Sequence, residues 1–334
     1  MDSISQIALG SAVSLLVTRG QQPKKAILYG AIIGTLPDLD VLTTAGNDLQ
    51  GTIEHRTWSH SWIVATILSP GLAWMIYRFD RSFSWTTWLA VVWLTLITHS
   101  ALDALTAYGT DIFWPFGGST IMLASIFIID PLFTLPLLIG IVLTLTRNHR
   151  HKRAILTVGT ALALSVTYLF FGLYAQYKAT QIATDSLNKQ GIEYSQVFVA
   201  PTPFNSIVWR ILAIGETDFF EGYYSLGDTH ESIDFINHPR GLNHRKRIEH
   251  FSDWQSFDKF THGYNQVTAI DSTIVGVDIR LGAEGWYMFR FKFAELAEES
   301  DVGTESGEVI RIEPELLPAP PFDPSLFGQL WERF

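Results

Sequence analysis

The 334-residue chain contains no cysteine. Disulfides, thiolate metal sites and a cysteine nucleophile are therefore excluded, while the redox compartment stays open. Charge is scarce as well: Asp, Glu, Lys and Arg make up 17% of the residues, against about one-quarter in ordinary soluble domains. The scarcity is uneven. Residues 1–176 hold 10 basic and 9 acidic side chains, whereas residues 177–334 hold 13 and 24. A nearly charge-free first half and an acidic second half rule out one homogeneous soluble domain, a disordered chain and a nucleic-acid binder with a basic footprint. The amino terminus does not read as a secretory leader either. The chain opens Met1-Asp2 without a basic stretch or a small-residue cleavage site, so the amino terminus is expected to be retained.

What the first half does have is long apolar runs. Residues 61–79, 85–102, 121–146 and 154–176 carry almost no charge, and about 20 apolar residues suffice for a helix to cross a bilayer. Two shorter runs, 4–18 and 26–36, precede them, the second ending at Pro37. Basic residues cluster at Arg19, Lys24 and Lys25, at Arg78 and Arg81, and at Arg147, Arg150, Lys152 and Arg153. Placing all three clusters on the cytoplasmic side requires six crossings. The loops 37–59 and 106–120 then face outward, as does everything after the sixth crossing.

The second half reads as a soluble domain. Residues 194–199, 206–214, 221–226, 266–280 and 286–293 are rich in β-branched and aromatic side chains and are punctuated by glycine, the pattern of short strands and turns. A helical link is expected over 176–190, and the tail LLPAPPFDP as an extended surface segment. The expected architecture is thus an α-helical, polytopic membrane domain of about six helices (1–176). A small, mainly β (α+β) soluble domain (177–334) follows on the extracytoplasmic side.

Polar groups inside apolar spans are costly and mark function by default. Asp38 and Asp40 lie in GTLPDLD, His55 and His60 in EHRTWSHS, and His99 and Asp103 in HSALDALTAYG. The topology brings all six to the outer ends of their segments. His99 and Asp103 are spaced i,i+4 and share a helix face. Asp38 and Asp40 flank one residue, so both can point one way in an extended or turn segment. Imidazole and carboxylate are the usual ligands of zinc, manganese and iron. Asp38, Asp40, His60, His99 and Asp103 are therefore the expected ligands of one to three divalent ions, zinc first among them. His55 is a ligand or an acid/base. Arg56 is placed to meet an anionic group such as phosphate. Thr106 and Tyr108 are candidate hydrogen-bond donors to substrate, and Asp130, about ten residues into the fifth run, would orient a ligand. His230, His238, His244, His250 and His262 have spacings that match no compact site.

The segments MDSISQ, GTLPDLD, HRTWSHS, HSALDALTAYGT, WPF and IIDPL, in this order, resemble the YdjM-type family of membrane-bound metal-dependent hydrolases, also described as LexA-binding and inner-membrane-associated. VFVAPTPFNSIVWRI and FEGYYSLGD are similar to the soluble part of that subfamily. The resemblance implies a multi-helix membrane domain in the bacterial inner membrane. It also implies a metal site carried by Asp38, Asp40, His55, Arg56, His60, His99, Asp103 and Asp130. A more distant likeness is to the zinc-dependent phospholipase C and P1 nuclease group, whose members use the free amino terminus as a ligand. Here the start Met1-Asp2 departs from that pattern, and Asp2 and Gln6 are the alternative groups to reach the site.

The function expected is hydrolysis of a phosphoester or lipid-like substrate at the outer membrane face, with membrane lipid as neighbour and no nucleic-acid partner. Two other classes stay open. An ion- or proton-coupled transporter would use the same Asp and His groups, and a non-catalytic scaffold would bind a partner through the acidic domain.

Overall fold

Short polar residues start the helices of the first half. Asp2 accepts from the Ile4 and Ser5 amides, Ser61 from Ile63 and Val64, and Ser84 from Thr87. Each pairs amide groups that an uncapped helix end leaves open. Two further helices open on Pro23 and Pro131, where a missing N–H costs nothing. A computed structural model describes residues 1–42, 49–117, 120–146, 151–229, 232–296 and 309–321. Arg147, Arg150 and His230, and the end of the tail, lie outside the described residues. The helices are α1 (Ser3–Val17), α2 (Pro23–Thr35), α3 (Leu49–Glu54), α4 (Trp62–Phe79), α5 (Trp85–Ala104), α6 (Pro131–Thr146), α7 (His151–Lys189), α8 (Leu242–Ile248) and α9 (Ser252–Phe260). Helices α4, α5 and α7 are long and apolar enough to cross a membrane, whereas α1 and α6 are apolar but shorter.

Two expectations change here. The run 121–146 is helical only from Pro131. Proline favours the first helical position and pushes its predecessor out of the helical region, and Ile121 pairs instead with Thr110 in an isolated bridge. Asp130 therefore lies ahead of the helix, accepting from the Leu132 and Phe133 amides at 2.9 and 3.4 Å. The last run and the helical link after it are one helix: residues 151–189 contain no proline, and α7 does not break at Gln176.

The chain divides into two units. The first is Met1–Thr43, His55–Tyr177 and Ala200–Ser206; the second is Thr44–Glu54, Lys178–Val199 and Ile207–Phe334. In the first, α1 and α2 cross with their backbones nearly touching. A Cβ at Gly10 would come 2.3 Å from the Gly30 carbonyl oxygen, and one at Gly30 as close to that of Gly10. Small residues permit such an approach, as they do at membrane helix interfaces. Leu9, Val13, Leu102, Phe133 and Leu137 fill the apolar core on one side of this pair, and Ile33, Trp88, Val92 and Leu96 on the other. Large apolar side chains stay exposed on α4, α6 and α7, among them Ile67, Trp74, Ile139, Leu164 and Phe170, as a hydrocarbon surrounding favours.

One end of this unit gathers the basic turns. Lys25 Nζ donates to Asp80 Oδ2 at 2.9 Å, joining the α1–α2 turn to the α4–α5 turn. His151 Nδ1 donates to the Gly20 carbonyl at 2.8 Å and adds the start of α7.

The second unit is built on strands β1 (Gln196–Pro201), β2 (Val208–Ile214), β3 (Asp218–Ser225), β4 (Ile236–Pro239), β5 (Asn265–Ile270), β6 (Thr273–Asp278), β7 (Gly282–Ala283), β8 (Trp286–Tyr287), β9 (Arg290–Leu296) and β10 (Val309–Leu316). They form two four-stranded sheets, ordered β1-β2-β3-β4 and β10-β9-β6-β5, and the small pair β7-β8. The stretch 266–280 is a hairpin rather than one strand, turning at Asp271 with φ of +52°. Trp254, Phe257, Phe291 and Phe293 centre the core that α3 and α9 cover. In the first sheet, the fully buried Arg210 pairs with Glu221 (Nε to Oε1 2.6 Å, Nη2 to Oε2 3.0 Å), and the Tyr223 and Tyr287 hydroxyls donate to the same carboxylate.

The α1–α2 crossing gives a direct test. Gly30→Val places side-chain atoms against a backbone that cannot yield, and should lower stability by about 1–3 kcal/mol. Gly71→Ala, with nothing within 4 Å of its new methyl, should leave it unchanged or raise it. Thermal unfolding of the detergent-solubilised protein reads both.

Candidate metal centre

Three chain segments end at one place. Helix α2 stops before Pro37, and a 3-10 turn, Pro37–Leu42, follows with Asp38 and Asp40. A second 3-10 turn, Trp58–His60, precedes α4 and presents His60. Near its end α5 carries His99 and Asp103 on one face, both buried.

Asp38, His60, His99 and Asp103 each bring one ligand atom to a group spanning no more than 4.8 Å. His60 Nε2 and His99 Nε2 are 3.1 Å apart. Asp103 Oδ2 is 3.0 Å from the first and 3.2 Å from the second, and Asp38 Oδ1 is 3.4 Å from each. Four ligands at about 2.0–2.1 Å around a tetrahedral ion are separated by about 3.3–3.4 Å, close to these five spacings, while the Asp38–Asp103 pair lies within 4.8 Å.

The hydrogen bonds behind the ligands fix which nitrogens are available. His99 Nδ1 lies 2.7 Å from the Gly34 carbonyl, which can only accept, so Nδ1 carries the proton. The Ser59 hydroxyl donates to Asp40 Oδ2 at 2.5 Å. Its oxygen then accepts from His60 Nδ1 at 2.9 Å. Both rings therefore present Nε2, the nitrogen left for a ligand, toward each other and toward two carboxylates. Asp103 Oδ2 is buried and accepts no hydrogen bond. Two imidazole nitrogens and two carboxylates packed this way share a cation between them, a proton or a metal ion, and the donor set fits a bound metal ion. Among the described residues it is the one such group.

The other oxygen of Asp103 is held by positive charge. Oδ1 accepts from the Met1 amino group, and the Arg56 guanidinium lies 3.4 Å away. Arg56 also donates to Thr106 Oγ1 at 3.1 Å and covers the Tyr108 ring at 5.1 Å. The guanidinium is thus turned inward and only 4% exposed, with Asp103 as the anionic group it meets. Arg56 has a φ of +64°, a left-handed conformation that costs a non-glycine residue about 1–3 kcal/mol. Its amide donates to Asp40 Oδ2 at 3.1 Å, and its carbonyl accepts from the Asp111 amide at 3.0 Å.

Asp40 organises this loop. Besides Arg56 and Ser59 it binds His55 Nδ1 at 2.8 Å through Oδ1. Burial would raise its pKa, but hydrogen bonds from His55 and Ser59 outweigh that and hold it below the ordinary carboxylate range. Asp38 and Asp40 do not point the same way, contrary to the reading from their spacing. In a 3-10 turn successive residues rotate by about 120°, so neighbours two apart diverge. Asp38 faces the ligand group and Asp40 the loop behind it. Asp130 lies elsewhere: its Oδ2 accepts from the Tyr168 hydroxyl at 2.8 Å. Asp2 caps α1, and Gln6 donates to the His99 carbonyl at 3.3 Å. The amino group, set aside in the sequence for Asp2 and Gln6, is the group that reaches Asp103. In the second unit His238 stacks on Phe219.

The family model described as YdjM inner membrane protein matches residues 1–179. No curated protein matches the chain significantly, and no solved structure does.

Purified protein should retain close to one equivalent of a transition metal by elemental mass spectrometry. His60→Ala and Asp103→Ala should reduce this to background. Asp130→Asn, which alters a carboxylate outside the group, should leave the stoichiometry unchanged.

Proposed function

Because the chain belongs to the YdjM inner membrane protein family, we propose that it is a metal-dependent hydrolase of the bacterial cytoplasmic membrane, acting on a phosphoester or lipid-like substrate. One observation carries this reading: a buried Asp103 oxygen without a hydrogen bond lies 3.0 and 3.2 Å from two imidazole nitrogens. Two histidines and two carboxylates within 4.8 Å of one another favour zinc. The residues that hold it are Asp38, His60, His99 and Asp103, and when bound it lowers the pKa of water and polarises a phosphoryl or carbonyl oxygen.

The chain supplies the proton chemistry. With Nδ1–H engaged by Asp40 at 2.8 Å, His55 keeps its Nε2 lone pair as a base, and its ring centre is 5.9 Å from that of His60. Hydrolysis adds one water across the scissile bond. The water oxygen goes to the phosphorus or acyl centre, one proton goes to His55, and that proton passes on to the leaving oxygen. Asp40 stabilises the intervening imidazolium, a pairing familiar from other hydrolytic sites. Arg56 offsets the Asp103 charge from the side away from the ligands, which makes the centre less hostile to an anionic substrate.

The six-crossing topology belongs to the same proposal. The start of α1, the end of α2, the start of α4 and the end of α5 meet at the ligand group, which supports alternating directions. The basic turns gather at the other end, which supports a cytoplasmic location for that end. The metal centre and the acidic second unit then face outward.

Two experiments test this. Metal-loaded protein is assayed against chromogenic phosphoesters and carboxylic esters. His55→Ala should lower kcat by about 10²–10⁴-fold with its metal content unchanged, and a metal-loaded wild type inert toward the whole panel would overturn the hydrolase reading. For topology, single cysteines are introduced at Lys152, Phe116 and Asp271, all exposed. An impermeant maleimide applied to intact cells should label the latter two; labelling at position 152 refutes six crossings.

A further inference from the structure

A cleft of about 290 Å³ opens beside the metal centre. Its polar end is made by Asp40 and Ser59, the two residues that orient His60 from behind. Beyond them the walls are apolar. Val64, Leu68 and Leu72 line it from α4, Leu96 from α5, one turn before His99, and Leu36 and Leu39 from the segment that carries Asp38. Val64, Leu68 and Leu72 are spaced by four and form a single stripe, so the wall runs along α4 for two turns, about 12 Å. It starts next to His60 and leads away from it along a helix long and apolar enough to lie in a bilayer.

The cleft is open rather than sealed: Leu39 and Leu68 are each about half exposed. An open apolar slot on the flank of two membrane-compatible helices meets acyl chains, not water. Its one polar end, Asp40 and Ser59, lies against the Nδ1 side of His60. An occupant that satisfies both ends has a hydrocarbon chain and a polar head, with the head at Asp40 and Ser59.

We propose that this cleft holds one hydrocarbon chain of a bilayer lipid, with the lipid's polar head at the end formed by Asp40 and Ser59, next to His60. The substrate class is then a chain-bearing amphiphile drawn sideways from the membrane. As a statement about substrate this rests on the hydrolase reading; as a statement about binding it stands on the cleft alone.

The test separates the two. The full-length protein in lipid nanodiscs is photolabelled with a decyl phosphate carrying a diazirine near the chain end, and labelled residues are mapped. Labelling is expected at Leu68 and Leu72, above the level at Ile67 and Trp74, which are exposed positions on the same helix and report general bilayer contact. Leu68→Trp and, from the opposite wall, Leu39→Trp should each fill the slot. They should cut the Leu72 label about tenfold, the loss expected when roughly two methylenes are excluded from an apolar site. Retained metal content shows that the variants are folded. Labelling of Leu68 and Leu72 no stronger than background, or unaffected by both substitutions, overturns the proposal.

Hydrolysis is read in parallel with phosphoesters of two, six and ten carbons. Turnover that rises with chain length in the wild type, and not in Leu68→Trp, supports the chain as part of the substrate. Equal turnover of all three overturns that part and leaves the hydrolase reading intact. Cleft labelling with no turnover of any ester refutes the hydrolase reading and leaves the binding site.

Discussion

Asp103 is a fully buried carboxylate near the end of an apolar helix, and the surrounding elements are arranged so that its charge is answered. An unpaired charge in such a place costs several kcal/mol. The structure responds from two directions. Arg56 and the amino group of Met1 approach one oxygen, and the other faces two imidazole nitrogens with which it would share a metal ion. Meeting these demands fixes where α1 begins, where α2 ends and where α4 starts. The tight α1–α2 crossing at Gly10 and Gly30 follows from the same requirement, because it lets the first residue and the PDLD turn reach one point. The strained backbone at Arg56 is a local cost of bringing its guanidinium there, offset by Asp40.

Much of this was legible in the residues. The i,i+4 pair His99 and Asp103 could be placed on one face because a long uncharged run left little doubt about the helix. His60 and Asp38 followed from their positions at segment ends. Asp40 was not placed correctly, since a two-residue spacing has opposite consequences in an extended chain and in a 3-10 turn, and the sequence does not distinguish them. The inward turn of Arg56 depends on a positive φ that no side-chain pattern announces. The amino terminus was missed because a main-chain amine carries no motif; its one trace is the capping Asp2, which sets how far Met1 extends past α1.

The fold shows the same division. Helix existence was clear from hydropathy, but the start of α6 was decided by Pro131, which outweighed an uninterrupted apolar run. In the second unit the strands were recognisable as β-rich, while the 266–280 hairpin, α8, α9 and β10 were not anticipated. Their placement depends on tertiary packing around Trp254 and Phe291 rather than on local composition. The acidic excess of that half is compatible with a core that buries Arg210 and Glu221 together, because the buried charges are paired and fully hydrogen-bonded.

The two imidazoles of the centre are held by different kinds of acceptor. His60 leans on a relay of side chains, a serine hydroxyl backed by a carboxylate, so its electron-donating strength responds to substitution at either position. His99 leans on the main-chain carbonyl of Gly34, where packing holds the acceptor in place: a Cβ there would come 2.8 Å from the Gln6 carbonyl oxygen, so no other side chain fits without a backbone shift. One arm of the centre is therefore open to retuning by mutation, and the other is insulated from it. Selection acting on ligand basicity can move the centre only through the Ser59 side, and the α2–α5 side serves as its fixed reference.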